Sequence, residues 1–351
     1  MINFNEYLSQ NNTLFTGRAS TAIYLILKAN NIHNQYIMVP ANICYAAIFP
    51  IIFSGNIPFY VDVGKDGNVD LKIIKSAYRT AIAAAIIPHM YGNTCLDIEN
   101  ISEFLRRKSV LIIEDCASCI GATVPEGMTG TFGDYAIYSF GYSKIIDLGN
   151  GGMIASKCDL GKISQLNCSL PEYDCEIQYK LQFFSQLYRL MREGPESDFI
   201  KAIYNLLPKH YRKCFIYKAD LHLEKMAWDS FNNLAYLSSR RKILFQYYVE
   251  HLRGNDIFSI YHFHSGAVPW RFNLLVNPKH KKELIKFLLS NKVPVSDWYP
   301  KVITMFGINE EYPGVEKMES EILNFPLVNI DESEIVQICR HIKRFYENIK
   351  N

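Results

Sequence analysis

The chain has 351 residues, in which 37 Lys and Arg nearly balance 35 Asp and Glu. This length exceeds that of a usual single domain, and the balanced charge gives no reason to propose nucleic acid as the main partner. The nine cysteines show neither the paired CxxC spacing of zinc sites nor a dense short framework. We therefore expect reduced thiols and no bound metal.

Residues 35–61 carry no charge, which raises the question of a membrane span. Pro40, Pro50 and Pro58 interrupt the stretch, so we predict a strand, a buried helix and a second strand. The first residues lack a basic region followed by an apolar run, so no signal peptide is expected. A soluble cytoplasmic protein is the prediction.

Apolar runs rich in Ile and Val alternate with amphipathic stretches in the first half of the chain. This pattern favours an α/β fold with a mainly parallel sheet covered on both faces. The predicted strands are 35–40, 57–63, 81–87, 110–115, 135–140 and 153–156, and the predicted helices are 20–29, 44–53, 71–78 and 98–107.

The second half has a different character. Segments 179–192 and 199–213 predict a helical hairpin, which either packs on the body or another subunit or binds a membrane surface or partner. We predict a large domain over 1–225, with a helical segment at about 175–215, and a small C-terminal α/β domain over 226–351. The elements predicted for the small domain are a helix at 226–252, a strand at 270–276, and helices at 281–291 and 332–349.

Parallel sheets place ligands beyond the carboxyl ends of their strands. The run 110–115 ends in Glu114 and Asp115, and buried carboxylates are costly unless they meet a cation, a metal or hydrogen-bond donors. Helix capping or a structural ion pair is the alternative interpretation. About thirty residues later, the strand at 135–140 runs into Lys144 and the flexible 147–152 segment.

This combination indicates a pyridoxal-phosphate (PLP) site. Such a site needs a lysine with a neutral amine, a carboxylate facing the pyridine nitrogen, a phosphate cup at a helix N-terminus and a flat group against the ring. Lys144 is the predicted imine former and Asp115 the predicted pyridine partner. Residues 16–22 are the predicted phosphate cup, to which Ser139 adds a hydroxyl, although an ordinary helix N-cap explains them too. Cys44 or Tyr45 either lies near the ring or packs in the core.

The chain resembles the DegT/StrS-type sugar aminotransferases, a PLP family of the fold-type I aspartate aminotransferase superfamily. The block from Glu114-Asp115 to Ser139-Phe140 and Lys144 is the most specific part of the resemblance. The other matching segments, in the family's order, are 17–22, 39–41, 58–63, 87–92, 130–135, 149–152 and 324–327.

The resemblance implies a homodimer with sites at the subunit interface and a ping-pong reaction. Glutamate would be the amino donor, and a nucleotide-linked keto sugar would be the acceptor, for polysaccharide or glycoconjugate biosynthesis. Lys144 would carry the cofactor and shuttle protons, and Asp115 would hold the pyridinium. Ala117 would lie against the ring, and Ser20 and Ser139 would bind the phosphate.

Three positions depart from the family pattern. Ser118 replaces the usual Gln or His at the cofactor hydroxyl, and Ala19-Ser20 replaces Gly-Thr in the phosphate turn. Segment 223–226 lacks the asparagine of the N-x-R-M arm that reaches the neighbouring subunit.

Two other functions are the alternatives: a non-catalytic PLP-fold regulatory or scaffold protein, and a PLP-dependent deoxysugar dehydratase. The dehydratase branch has histidine where this chain has Lys144, and degenerate members usually lose the lysine or the aspartate. No Gly-x-Gly-x-x-Gly follows the early strands, which argues against a nicotinamide oxidoreductase. The candidates for a sugar or nucleotide pocket are Trp270, Arg271, Phe272, Trp298 and Tyr299. Arg271 would meet a donor carboxylate, a diphosphate or an acidic neighbour.

Overall fold

The computed structural model describes residues 4–193, 206, 210–254 and 257–350. A seven-stranded sheet of order β1-β9-β8-β5-β4-β2-β3 forms its first half, and a small hairpin, β6-β7, lies beside it. The strands are β1 (Asn12–Thr16), β2 (Tyr36–Pro40), β3 (Ile57–Val61), β4 (Ile82–Pro88), β5 (Leu111–Asp115), β6 (Thr123–Val124), β7 (Gly127–Met128), β8 (Tyr135–Ser139) and β9 (Gly152–Ser156).

The five strands β2, β3, β4, β5 and β8 run parallel to one another. At one edge, β9 pairs antiparallel with β8, and β1 pairs antiparallel with β9. The predicted α/β fold with a mainly parallel sheet is confirmed. All six strands predicted for the first half are present to within one or two residues at each end. The strand β1 was not predicted, since its pairing with β9 joins residues far apart in the chain.

Helices cover both faces of the main sheet and continue into the second half. The uncharged stretch 35–61 folds as β2, a helix and β3, as predicted. Among the described residues, no helix combines the length and the apolar character that a membrane crossing requires. The helices of the first part are α1 (Phe4–Ser9), α2 (Ala19–Ala29), α3 (Tyr45–Phe53), α4 (Leu71–Ala77), α5 (Ile98–Arg106), α6 (Gly161–Cys168), α7 (Cys175–Glu193) and α8 (Arg212–Phe215).

The second part is built on a three-stranded antiparallel sheet of order β10-β11-β12. Its core is an apolar cluster around Phe272, whose ring stacks on Tyr248 with centroids 4.3 Å apart. Its elements are α9 (Leu221–Phe231), α10 (Leu234–Leu252), β10 (Phe258–Ile260), β11 (Phe272–Val276), α11 (Pro278–Ser290), α12 (Pro313–Glu321), β12 (Ile322–Phe325) and α13 (Glu332–Lys350).

The single helix predicted over 226–252 is wrong, because α9 ends and α10 begins around Asn232-Asn233. Asparagine side chains compete for backbone hydrogen bonds and so disfavour helix interiors. The first arm of the predicted hairpin is α7, whereas most of its second arm, 199–213, lies outside the described residues.

The two parts share apolar contacts. Val302, Ile303 and Val315 follow the predicted domain boundary in the chain, yet they pack in the core of the main sheet. The N–H of Val302 also donates to the carbonyl of Ala41 at 2.8 Å. The boundary at 225/226 stays a prediction, and the C-terminal part contributes to both cores.

Glu114 fixes the loop that leads into β8. Its fully buried carboxylate accepts the N–H groups of Gly130 (2.5 Å), Phe132 (2.9 Å) and Gly133 (3.1 Å). His89 lies 2.9 Å away through Nε2, and since its Nδ1 accepts the N–H of Cys95, Nε2 is the nitrogen that donates to Glu114. Side chains alternate along a strand, so Glu114 faces this loop and leaves Asp115 to the opposite face.

We predict that Glu114→Gln lowers the free energy of unfolding by about 2–4 kcal/mol, because an amide NH₂ group would face the N–H donors of the loop. Urea unfolding followed by circular dichroism measures the change. The matched control is Glu103→Gln, which removes an exposed ion pair with Arg107 and should cost less than about 1 kcal/mol. Equal effects of the two substitutions would contradict the anchoring role.

Candidate active site

A cavity of about 560 Å³ lies beyond the carboxyl ends of β5 and β8 and at the N-terminus of α2. This volume is within the range of small-molecule sites. The structure places six of the seven predicted site residues on its wall: Ala19, Ser20, Asp115, Ala117, Ser139 and Lys144. The seventh, Ser118, contacts Lys144. The arrangement brings the predicted residues together, while their roles stay predictions.

Lys144 lies in the loop between β8 and β9, after Ser143, whose backbone has a positive φ of 67°. The Lys144 Nζ donates to the Ser118 hydroxyl at 3.0 Å. Burial lowers the pKa of Lys144 and the charge of Arg271 lowers it further, whereas Cys44 and Asp115 act in the opposite direction. A lowered pKa increases the fraction of neutral amine, which is the nucleophilic form.

Asp115 ends β5 with its carboxylate in the cavity wall. The N–H of Ala117 donates to this carboxylate at 2.9 Å. Burial raises the pKa of Asp115, while the Ala117 N–H and the charge of Lys144 act to lower it. A cationic nitrogen in the cavity would therefore stabilise the carboxylate and be stabilised by it.

The α2 helix opens onto the cavity without a side-chain cap. Its N-cap residue is Arg18, in an extended conformation with no capping hydrogen bond. The first N–H groups of a helix have no intrahelical partner, so this end suits an anion. The ordinary N-cap interpretation therefore does not describe this turn.

Because Gly17 has no side chain, the Tyr217 backbone can approach this turn closely. Its N–H donates to the Tyr217 carbonyl at 3.1 Å, and a Cβ at Gly17 would lie 2.4 Å from that same oxygen. On the other side, the N–H of Gly151 donates to the Gly17 carbonyl at 2.9 Å. Ser20 donates its hydroxyl proton to the Phe215 carbonyl at 2.9 Å, so this hydroxyl also ties α2 to the 215 segment.

Arg18 is a site residue to which sequence reasoning assigned no role. Its guanidinium lines the cavity, donates to the Cys214 carbonyl at 3.2 Å and lies over the Phe215 ring. An arginine at the start of a helix that offers free N–H groups adds a positive charge to an anion site. The sequence feature that could have identified Arg18 is its positive charge within the glycine- and hydroxyl-rich turn at 16–22.

Cys44 and Tyr45, the two residues considered for the face of the cofactor ring, have different surroundings in the structure. Tyr45 packs in an aromatic cluster with Phe49, Phe184 and Tyr188, although it also borders the cavity. Cys44 lines the cavity close enough to Lys144 and Asp115 to interact with both electrostatically. Cys44 is therefore the better placed of the two.

All nine cysteines are free. The chain lacks two C-x-x-C pairs of the kind found in zinc sites, but it does contain one such pair, Cys116 and Cys119, on either side of Ala117 and Ser118. Their sulfurs and a ring nitrogen of His89 lie within 4.8 Å of one another. Both nitrogens of His89 already have partners, Glu114 and the Cys95 N–H, so we assign no metal to this cluster.

The aromatic candidates of the C-terminal half divide between site and core. Trp270 lies beside the Lys144 amine and stacks on Tyr299, with ring centroids 5.5 Å apart. Phe272 is fully buried in the small core, and Trp298 stacks on Tyr188. Segment 223–226 lies in α9, where its last two residues are exposed.

The cavity fits a phosphorylated, nitrogen-containing cofactor on three counts. It has a helix N-terminus with a cation for the phosphate, a buried carboxylate for a protonated nitrogen, and a lysine amine of lowered pKa for an aldehyde. These are three of the four elements that a PLP site requires.

Comparison with known proteins supports this interpretation. Residues 2–164 match the model of the DegT/DnrJ/EryC1/StrS aminotransferase family. The chain is 24% identical to a GDP-perosamine synthase of Escherichia coli O157:H7 over 98% of this chain and 89% of that protein. It is 29% identical to a GDP-perosamine synthase of Vibrio cholerae over 45% of this chain, a match that spans only 43% of the Vibrio protein.

Solved structures share the fold over nearly the whole chain. The aminotransferase TlmJ from Streptoalloteichus hindustanus superposes with a TM-score of 0.78 at 16% identity, covering 99% of this chain and 89% of TlmJ. NtdA from Bacillus subtilis, solved with bound cofactor PMP, has a TM-score of 0.69 at 18% identity over 96% of this chain and 74% of NtdA. The predicted fold type I and the predicted enzyme class are confirmed. Over residues 2–164 the chain is similar to the DegT/DnrJ/EryC1/StrS aminotransferase family.

Proposed function

We propose that the chain is a PLP-dependent aminotransferase that moves an amino group from glutamate to a nucleotide-linked keto sugar by ping-pong transamination. It would serve polysaccharide or glycoconjugate biosynthesis. The observation that carries the proposal is a buried lysine amine, Lys144, in one cavity with the Asp115 carboxylate and the open N-terminus of α2.

The chain's own residues divide the task of holding the cofactor. Lys144 would bind its aldehyde, Asp115 its ring nitrogen, and Ala117 would lie against the ring. The α2 N-terminus at Ala19 and Ser20, with Ser139 and the charge of Arg18, would hold the phosphate. When bound, PLP supplies an electron sink for the carbon that loses a proton.

Lys144 would also serve as the acid–base group. Once the donor amine has taken its place, its free Nζ would accept the proton from the donor α-carbon and deliver it to the cofactor carbon. The Ser118 hydroxyl, 3.0 Å from Nζ, orients the amine. Burial lowers the pKa of Lys144, so that more of its neutral form is available as a base.

The substrate class rests on the relatives and on the charge of the site. The matched relatives include GDP-perosamine synthases and dTDP-sugar transaminases. Arg18 and Arg271 add positive charge around the Lys144 amine, which favours anionic substrates such as an amino acid and a nucleotide diphosphate sugar. Retention of Lys144 and Asp115 argues against the dehydratase and scaffold alternatives.

We also propose that the enzyme is a cytoplasmic homodimer. Apolar side chains on α9 and α10 are exposed in the single chain, among them Leu221 (83%), Trp228 (41%) and Tyr236 (69%). Contiguous exposed apolar surface typically marks a protein interface. A dimer through this face would cover these side chains.

The direct test of the Lys144 assignment is chemical labelling. Protein reconstituted with PLP should absorb visible light, and borohydride should fix a pyridoxyl group on Lys144, because this lysine lines the cavity and has a lowered pKa. Peptide mass spectrometry identifies the labelled residue. Lys144→Ala should lose label and amine transfer while its circular dichroism is unchanged, whereas the exposed control Lys162→Ala should keep both. A pyridoxyl group on another lysine would overturn the assignment.

Asp115→Asn should alter both the pH dependence of cofactor capture and turnover. Asp115 raises the pKa of Lys144, so its removal should move the midpoint of the capture rate, which rises with pH, to a lower pH. Amine transfer should fall by about 100-fold or more, because the stabilising charge at the ring nitrogen is gone. Stopped-flow absorbance of the apoprotein mixed with PLP measures the midpoint.

The matched control for this test is Asp159→Asn, which changes an exposed carboxylate. It should leave both the midpoint and the turnover at wild-type values. If Asp115→Asn keeps near-normal turnover, or moves the midpoint upward, the assigned role of Asp115 is wrong.

A further inference from the structure

Arg271 carries a partly buried positive charge that no carboxylate of the described residues neutralises. Its Nη1 donates to the Ser296 hydroxyl at 2.7 Å and its Nη2 to the Ser143 hydroxyl at 3.0 Å. Its Nε is buried without a hydrogen-bond partner. No carboxylate of the described residues forms an ion pair with it, so two neutral hydroxyls fix the guanidinium and leave its charge and its Nε–H uncompensated.

The position of this guanidinium ties it to the reacting amine. Arg271 lies 4.4 Å from the centroid of the Trp270 ring, and the Lys144 Nζ lies 5.4 Å from the same centroid. The hydroxyl that Arg271 holds belongs to Ser143, the residue before Lys144. The two cations are close enough that the charge of Arg271 contributes to lowering the pKa of Lys144.

A second cavity of about 510 Å³ gives Arg271 access to a ligand. Tyr142 lines both this cavity and the one that contains Lys144, so the two adjoin. The second cavity also holds Asp147, but its carboxylate already accepts the N–H groups of Ser143 (2.6 Å) and Gly149 (3.0 Å). Asp147 therefore orders the loop around Lys144 rather than pairing with Arg271.

The ligand that this arrangement fits is a carboxylate. A planar guanidinium held on an aromatic face pairs with a carboxylate through parallel N–H donors, and a buried unpaired cation gains most from an anion. In an amino acid, the carboxylate is attached to the carbon that bears the amine. In a nucleotide sugar, the diphosphate is several bonds from a keto carbon of the ring. An anion site this close to the amine of Lys144 suits the amino acid better.

We infer that Arg271 binds the carboxylate of the amino donor. This inference rests on the proposed function, which supplies the donor. Arg271 acts as a specificity residue: it selects an α-amino acid over a neutral amine and orients the donor carbon towards Lys144. Ser143 and Ser296 position the guanidinium, and Trp270 supports its face.

The test compares Arg271→Lys and Arg271→Met with wild type. Arg271→Met removes the charge, and Arg271→Lys keeps the charge but loses the planar fork. The KM for glutamate should rise by about 10- to 100-fold in the Met variant and less in the Lys variant, the loss expected for a charged hydrogen-bonded partner. The KM for the keto sugar should stay within about 3-fold of wild type, a split that a general structural defect would not produce.

A binding measurement keeps the test independent of turnover. Glutarate, a dicarboxylate without an amine, is titrated calorimetrically into the PLP-loaded protein. Its affinity should fall by about 10-fold or more in Arg271→Met. The control is Lys292→Asn, which removes an exposed cation from the same second cavity and keeps a residue type that tolerates the positive φ there. This variant should bind glutarate as wild type does.

The outcomes separate this inference from the proposed function. Arg271-dependent glutarate binding in a protein without amine transfer would support the inference while the proposed function fails. Normal amine transfer with an unchanged KM for glutamate in both Arg271 variants would refute the inference and leave the function standing. A rise in the KM of the keto sugar alone would also refute it, since Arg271 would then serve the acceptor's phosphates.

Discussion

Lys144 places its amine in the wall of the cavity, where burial disfavours the charged ammonium. Among the described residues, no carboxylate forms a direct ion pair with this amine. Nζ donates a hydrogen bond to the neutral hydroxyl of Ser118, and Asp115 stabilises its charge only through longer-range electrostatic attraction. The lowered pKa of Lys144 increases the fraction of neutral amine. Both aldehyde capture and proton abstraction require the neutral amine.

The alternation of side chains on one strand of the sheet places Asp115 in the cavity that contains Lys144. Glu114 and Asp115 are adjacent on β5 and so face opposite ways. Glu114 binds three backbone N–H groups of the loop that leads into β8, and β8 in turn carries Ser139 and delivers Lys144. One carboxylate thus secures the scaffold while its neighbour serves the cavity, which explains why a buried strand ends in two acids.

The sequence predicted the elements whose signals are local. Apolar runs marked all six strands predicted for the first half, and the spacing from Asp115 to Lys144 predicted residues that do share a cavity. What it missed depends on partners distant in the chain. The strand β1 exists through its pairing with β9, and the hydroxyl of Ser20 is held by the carbonyl of Phe215. The break at Asn232-Asn233 was readable in principle, since asparagine disfavours helix interiors, but helical spacing of apolar residues on both sides obscured it.

Arg271 illustrates the same limit at the site itself. Its sequence neighbours left three partners open, a donor carboxylate, a diphosphate or an acidic residue. Only the fold shows that two hydroxyls hold it, that no acid of the described residues pairs with it, and that it shares the face of Trp270 with Lys144. A partly buried, unpaired cation next to the reacting amine then favours the donor carboxylate among these three partners.

The measurement that tests the account most directly follows nitrogen from donor to acceptor. The PLP-loaded protein is incubated with ¹⁵N-glutamate and a panel of nucleotide-linked keto sugars, and the products are read by mass spectrometry. We predict that a nucleotide amino sugar carrying the label appears in step with 2-oxoglutarate, and that Lys144→Ala yields neither. Consumption of a keto sugar with loss of water and no incorporated label would contradict the account and identify dehydration as the reaction instead.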